Sequence, residues 1–374
     1  MSVTEIHPSI PRLLAFATRV FVWGLIFLSL YLLRSFFLLL FFTFVFAYIQ
    51  VSLGAQLENR IRNRVIRTVV VGLGILAVLI SLGLYLTPNV RSQAEVFVSK
   101  FPTYVQALDN QLKQFANKYP VLYELSPVIS ETRHSEALNG AAVEPWDLRT
   151  SPTAILTQQI LEGSGVRYAV DTARNIGGGL LSVVSAFLLS LLFSFLIVLD
   201  LPALRRGVHS LVHTRVSFIY NEVADSIYNF GKILGQSLQA QLLVAIGNTV
   251  MTALGLYLLG LQDKMAFLSV IVFFCSFIPV AGVFISSVPI CLLVLQQSGF
   301  GMVMFAVLLI WIIHLCEAYI LNPKIYGHQL RLNPVVVLII LTIGGKLFHV
   351  WGLILGLPVC TYLFRHAIQY KQGE

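Results

Sequence analysis

Residues 316 to 365 are apolar enough for a lipid bilayer, yet glycine or proline interrupts them every few residues. The two apolar runs here, 335 to 343 and 350 to 364, are each shorter than the roughly 20 residues that cross a bilayer upright. Backbone that is not helical is tolerated at membrane depth only where protein or a wet cavity surrounds it. The pattern therefore predicts a helical hairpin inside a bundle, of the kind that holds substrate in transporters.

The composition excludes a soluble globule. Of the 374 residues, 57% are hydrophobic and 11% are charged, whereas soluble domains carry about 25% charged residues. The apolar runs lack the alternation of a lipid-facing β-strand. We expect an all-α, polytopic integral membrane protein. It should have about six full transmembrane helices, two hairpins broken by proline and glycine, and an extracytoplasmic helical region.

The net charge of +8 reflects membrane topology better than nucleic-acid binding, because the basic residues lie in short segments between apolar runs. Four arginines between Glu58 and Arg67 place that loop, and with it the N-terminus, in the cytoplasm. Counting the spans that follow this loop places the C-terminus in the cytoplasm as well. The four cysteines form neither a CxxC pair nor a cluster with histidine, so we expect no metal and no cofactor.

Four segments are expected along the chain. Residues 1–88 hold an antiparallel pair of spans that turns at Arg34 and a third span closed by Pro88. Residues 89–176 form the extracytoplasmic region. Residues 177–235 hold a fourth span and an amphipathic helix at 216–230, lying along the membrane or against the bundle. Residues 236–374 form the transport core, in which a sixth span at 300–320 separates the two broken hairpins.

Many residues at fixed offsets carry a family resemblance: Glu317, Tyr319, Leu321, Pro323, Gly327, Asn333, Pro334, Gly344, Gly345, Leu347, Phe348, Gly352, Gly356 and Pro358. This pattern resembles the C-terminal signature of the autoinducer-2 exporter family of bacterial membrane proteins. The family usually places glycine where this chain has His349. In the earlier hairpin, Pro279 and Gly282 keep the family's breakers, while Val280 replaces an aromatic residue.

The resemblance implies a transporter of the bacterial inner membrane that exports a small polar solute such as autoinducer-2, a quorum-sensing signal. For some members it implies sodium–proton exchange. It also implies a homopentameric, elevator-like assembly. The expected partners are the lipid bilayer, the solute and other copies of the chain, and nucleic acid is not among them.

His314 and Glu317 are three residues apart and share a helix face, so we expect Glu317 to be the principal ionisable group of the path. Its structural alternative is a cap on a cytoplasmic loop. Asn322 and Asn333 are further path candidates, with turn chemistry as their alternative, and Asn248 and Thr252 are others, with hydrogen bonding between helices as theirs. Gln236, on the inward face of the fifth span, completes the set. Hinges are expected at Pro279, Gly282, Gly344, Gly345, Gly352, Gly356 and Pro358, and gating at the tip residues Lys346 and His349.

The leading hypothesis is a secondary transporter, an exporter of a small polar solute. A Na⁺(Li⁺)/H⁺ antiporter is the alternative within transport, although the spans lack paired aspartates. A membrane scaffold that does not transport is the alternative of another class. An enzyme is not expected, because the sequence has no HExxH motif and no convincing serine–histidine pair.

Overall fold

The computed structural model describes residues 9–118, 185–279, 281–326 and 334–364. Its helices are α1 (Ser9–Leu32), α2 (Phe37–Gln56), α3 (Arg64–Lys118), α4 (Ser185–Leu199), α5 (Leu201–Ser210), α6 (Ser217–Leu258), α7 (Met265–Cys275), α8 (Ala281–Cys316), α9 (Asn322–Tyr326) and α10 (Pro334–Leu363). These ranges contain no strand. Five helices are long and apolar enough to cross a membrane, or six if α4 and the segment after it count as one span. The all-α polytopic fold is confirmed.

The chain divides into two compact units. The first comprises Met1–Leu79, Ser182–Gln239 and Leu355–Glu374, and the second comprises Ile80–Leu181 and Ala240–Ile354. Both units therefore gather segments that are distant in sequence. The division into four segments stays a prediction.

No turn separates α1 from α2. A short 3-10 segment, Leu33–Phe36, joins them, and the flanking residues Leu32 and Phe37 keep right-handed helical dihedral angles. The predicted antiparallel pair turning at Arg34 is wrong, because an arginine without glycine or proline beside it does not break a helix. Its guanidinium lies 4.6 Å from the centroid of the Tyr31 ring, a cation–π contact. The charge argument for residues 58–67 therefore no longer extends to the N-terminus.

Two further predicted breaks are wrong. Helix α3 continues through Pro88 and Pro102 to Lys118, so Pro88 does not close the third span. The predicted amphipathic helix at 216–230 is the first part of α6, a helix of 42 residues that also contains the fifth span. Its glycines do not end it, since each costs only about 1 kcal/mol in a helix. A change of direction occurs earlier, where the segment 201–213 leaves α4 at 71°.

Buried polar contacts hold the first unit together. Gln50 of α2 is 2% exposed, and its Nε2 donates a hydrogen bond of 2.8 Å to Ser194 Oγ of α4. Ser190 Oγ donates to the Leu39 carbonyl at 3.1 Å. In lipid the hydrophobic effect does not drive helices together, because the lipid tails are as apolar as the side chains. Hydrogen bonds between helices therefore help to hold them in contact.

The second unit has an apolar core to which α3, α6, α7 and α8 contribute. Tyr104, Leu256, Leu268 and Val294 lie at its centre and are almost completely buried. Gln93 Oε1 of α3 accepts a hydrogen bond of 2.9 Å from the backbone N–H of Phe267 in the first turn of α7. The apolar face of α3 is therefore packed against this core.

Both predicted hairpins reverse the chain. In the first, α7 and α8 meet so tightly that a Cβ on Gly282 would overlap the Cys275 carbonyl. In the second, His349 interrupts α10 with φ 52° and ψ −133°, and the backbones of Gly344 and Gly352 touch across the turn. The arms 334–348 and 350–363 contain fifteen and fourteen residues, too few to cross a bilayer upright.

Candidate functional site

Glu317 begins a π-helical turn, Glu317–Leu321, that follows α8. Its Oε2 accepts a hydrogen bond of 2.9 Å from Asn248 Nδ2 of α6 and lies 3.4 Å from His314 Nδ1. The Glu317 side chain is 17% exposed. Single π-turns are rare and occur frequently at functional sites. The carboxylate therefore joins α6 to the end of α8 at an irregular point of the backbone.

Asn248 has one polar atom without a partner. The residue is 5% exposed, and its Nδ2 also lies 3.5 Å from Ser276 Oγ. Its Oδ1 is buried and accepts no hydrogen bond. Leaving such an oxygen unsatisfied costs about 1–3 kcal/mol. A donor or a cation at this point would remove that cost.

The break between α7 and α8 supplies a third wall. Ser276 lies in this break, its Oγ donates to the Val272 carbonyl at 2.7 Å, and its own carbonyl accepts a hydrogen bond from Gln241 Nε2 of α6. The broken hairpin is thus tied to α6 close to Asn248. Pro279 and Gly282, two of the predicted hinges, lie in and directly after the same break.

A cavity of about 40 Å³ lies between these elements. A water molecule needs about 10–15 Å³ by this measure, so the cavity has room for a few waters or one partly hydrated ion. The polar lining residues are Asn248, Thr252, Ser276, Ser286, Ser287, His314 and Glu317, and the aliphatic ones are Val272, Val283, Ile290, Ile310 and Ile313. Because aliphatic walls lower the local dielectric constant, the carboxylate interacts strongly with any ion that enters.

The cavity brings together four of the predicted path residues: Asn248, Thr252, His314 and Glu317. Gln236 belongs to the first unit. Asn322 is half-buried in α9 and does not line the cavity. Asn333 lies outside the described residues.

The second hairpin contributes no residue to this cavity. Lys346 and His349 are exposed at its tip. Gly344 and Gly352 form its tight crossing, and a Cβ on Gly345 would meet only the Leu353 side chain, at 3.1 Å. Gly356 and Pro358 lie in its second arm.

Three serines that line the cavity were not predicted from the sequence: Ser276, Ser286 and Ser287. Ser286 and Ser287 donate their hydroxyl hydrogens to carbonyls of their own helix, at 3.2 and 2.8 Å, and each oxygen keeps lone pairs with which it can accept. Two adjacent hydroxyls in an apolar run just after a predicted break were the available signal. Within the part of the chain that the structure describes, no three metal-binding side chains cluster. The site is one carboxylate, one imidazole and neutral oxygens.

A family model described as "AI-2E family transporter" matches residues 20–371. The chain belongs to this family. The match covers nearly the whole chain and confirms the resemblance found in the C-terminal signature. The protein is therefore a multi-pass membrane transporter.

Relatives support this assignment. The protein "Putative transport protein YdbI" of Bacillus subtilis (strain 168) is 27% identical over 366 residues, which cover 96% of this chain and 91% of that protein. A "Putative transport protein" of Thermotoga maritima is 25% identical over 303 residues, 78% of this chain and 90% of that one. The "Sodium-lithium/proton antiporter" of Halobacillus andaensis is 24% identical over 294 residues, 76% of this chain and 75% of that one.

Proposed function

We propose that this protein is a secondary transporter that exchanges a small monovalent cation for protons at Glu317. The observation that carries the proposal is the position of this carboxylate, 17% exposed, next to Asn248, whose buried Oδ1 accepts no hydrogen bond, at a small cavity that both residues line. A carboxylate in such a place can take up a proton or a cation, since each neutralises its charge. Binding one displaces the other, which is the elementary step of antiport.

The oxygens at the site suit a hard cation. Carboxylate, amide and hydroxyl oxygens are the ligands that hard metal ions prefer, and Glu317, Asn248 and the cavity serines supply all three. The lack of paired aspartates in the spans is therefore not decisive, because neutral oxygens can complete the shell. The relative from Halobacillus andaensis, which is named a sodium-lithium/proton antiporter, supports the same chemistry.

Export of a small polar solute such as autoinducer-2 is the second candidate. The family to which the chain belongs favours it. A cavity of about 40 Å³ does not accommodate a sugar-sized molecule, so export would need a path that opens beyond this cavity. In that case Glu317 would supply proton coupling and the solute would bind elsewhere.

Both candidates are transport functions, and we propose neither enzymatic catalysis nor a scaffold role. We propose that the protein acts in the bacterial inner membrane as a homo-oligomer, with a pentamer as the state that the resemblance implies. The loop at 54–68 and the C-terminus would be cytoplasmic, and residues 89–176 outside. A cysteine placed at Ser99 should react with an impermeant reagent in intact cells, and protection until lysis would reverse this orientation.

Proteoliposomes containing a pH-sensitive dye test the main proposal. Adding Na⁺ or Li⁺ outside should move protons across the membrane, and Glu317→Gln should abolish this exchange while the protein stays folded. Glu95→Gln is the matched control, because Glu95 is 67% exposed and pairs with Arg91 on the surface of α3. Exchange that survives Glu317→Gln would contradict the proposal. Flux of autoinducer-2 without cation exchange would favour the second candidate.

A further inference from the structure

The segment that follows α4 is placed to lie along a membrane surface. Residues 201–213, comprising α5 and a 3-10 turn, leave α4 at 71°. Transmembrane helices tilt by about 20° on average from the bilayer normal. With α4 near this tilt, a segment that leaves it at 71° runs close to the plane of the membrane.

One side of this segment is apolar and uncovered. Leu204, Val208 and Leu211 are 44%, 55% and 38% exposed, and their spacing of four and three residues places them on one helix face. An amphipathic helix with this pattern lies in the interface, with its apolar face in the acyl boundary. Such a face needs a cover that the described residues of the first unit do not provide.

Arg205 follows Leu204 directly and so lies at the flank of the apolar face, whereas Arg206, one residue further on, lies on the polar side of the helix. Arg205 has no side-chain partner among the described residues, and Arg206 Nε reaches only the Pro202 carbonyl of its own helix, at 3.4 Å. The chain carries no acidic residue between Asp200 and Glu222. The charges of the two arginines are therefore available to an anionic partner.

We propose that α5 docks on the bilayer and that Arg205, at the flank of the apolar face, binds the phosphates of anionic lipid headgroups, while Arg206 adds to the positive charge of the segment. The apolar helix α4 leads directly into α5 and keeps it at the bilayer, so the docking needs no further anchor. Basic residues next to a span are attracted to anionic lipid, and arginine matches phosphate with paired hydrogen bonds. This role is independent of the cation exchange proposed at Glu317.

Hydrogen–deuterium exchange of the full-length protein in nanodiscs tests this proposal. Nanodiscs of phosphatidylcholine alone are compared with nanodiscs that also contain phosphatidylglycerol. Amides of residues 201–213 should exchange more slowly in the second kind. Arg205→Gln should raise the phosphatidylglycerol fraction needed for half of this protection about five-fold, the factor that corresponds to ~1 kcal/mol per basic residue near an anionic surface. The double variant Arg205→Gln, Arg206→Gln should lose the protection.

Controls separate specific docking from general charge. The variant Arg60→Gln, Arg62→Gln removes two exposed arginines from the loop between α2 and α3 and should keep the protection at 201–213. Leu204→Asn should speed exchange in both kinds of nanodisc. Equal exchange in the two lipid mixtures, or protection that survives the double arginine variant, would overturn the proposal; the second result would point to a protein partner on the apolar face. The unfolding temperature of each variant reports whether it is folded.

Discussion

A Cβ atom added to Gly344 would lie 2.8 Å from the carbonyl oxygen of Gly352, because the two arms of α10 touch there through their backbones. Real Cβ atoms essentially never come within 3.0 Å of a neighbouring heavy atom. The reverse position is tighter still, since a Cβ on Gly352 would overlap the Gly344 carbonyl. The crossing therefore requires glycine on both arms.

Gly352→Ala should destabilise the second hairpin. Its methyl group must push the arms apart, and overpacking of this kind costs about 1–3 kcal/mol. Thermal unfolding in detergent should show a lower midpoint, and transport should fall with it. Gly301→Ala is the control, because nothing lies within 4 Å of a Cβ at Gly301. Equal unfolding midpoints for the two variants would contradict the close backbone contact between Gly344 and Gly352.

Gly345→Val tests a milder position in the same hairpin. A Cβ there meets only the flexible Leu353 side chain, at 3.1 Å, which can move aside. We therefore expect a smaller fall in the unfolding midpoint than Gly352→Ala causes. A larger fall in the midpoint would show that the hairpin tolerates a side chain at Gly345 less well than one at the contact between Gly344 and Gly352.

His349→Gly should stabilise the protein. His349 has φ 52° and ψ −133°, close to the first central position of a type II′ turn, where glycine predominates. A residue with a side chain held in a sparsely populated region costs about 1–3 kcal/mol. The unfolding midpoint should therefore rise with glycine.

His349→Ala separates backbone strain from imidazole chemistry at the same site. Alanine keeps the strain and loses the ring, so the unfolding midpoint should stay near that of the wild type. If the imidazole gates transport, both variants should lose flux. If only the backbone matters, flux should survive in the glycine variant. If alanine raised the unfolding midpoint as much as glycine does, the proposed backbone strain at residue 349 would be contradicted.

The tip of this hairpin shows what sequence reasoning can and cannot reach. The breakers Gly344, Gly345 and Gly352 marked the fold-back, and the departure from glycine at His349 was visible from the resemblance. The dihedral angles of His349 were not, because strain depends on how the two arms meet. The continuity of the helices was harder to predict. Arg34 and Pro88 suggested that helices end at these residues, but the chain stays helical through both.

The same limit applies to the site. His314 and Glu317 are three apart on one helix, so their contact followed from spacing alone. The bond between Asn248 and Glu317 joins residues that are far apart in sequence, and only the packing of α6 on α8 determines it. Gln236 looked equivalent to Asn248 on the same apolar helix. Periodicity could not show that the two residues belong to different units.

Ser194→Ala should cost more stability than Gln50→Leu. Removing the Ser194 hydroxyl leaves the Gln50 amide buried without its acceptor, a loss of about 1–3 kcal/mol. Gln50→Leu removes the amide together with its Oε1, which already lacks a partner, and Ser194 keeps its bond of 2.7 Å to the Leu191 carbonyl. Thermal unfolding of the two variants gives the order. The reverse order would show that Gln50 has a role beyond this bond.

Asn248→Ala should weaken cation binding without abolishing proton binding at Glu317. The change removes the amide that donates to the carboxylate and the free Oδ1. A buried oxygen without a partner costs about 1–3 kcal/mol, which a cation bound to Oδ1 would recover, so the cation concentration for half-maximal exchange should rise roughly 5-fold or more in the variant. Thr249→Ala is the control: its hydroxyl donates to the Ala245 carbonyl at 2.7 Å and does not line the cavity. Similar shifts in both variants would contradict a ligand role for Asn248.

The fold-back of α10 also has an electrical consequence. The arm 334–348 ends at the tip and the arm 350–363 begins there, so a helix end of about −0.5 charge meets one of about +0.5. These partial charges nearly cancel, and the exposed side chains of Lys346 and His349 set the charge of the tip. Moving one elementary charge through 100 mV is worth about 2.3 kcal/mol. The membrane potential therefore acts on this hairpin through the charge of Lys346 and hardly at all through the backbone.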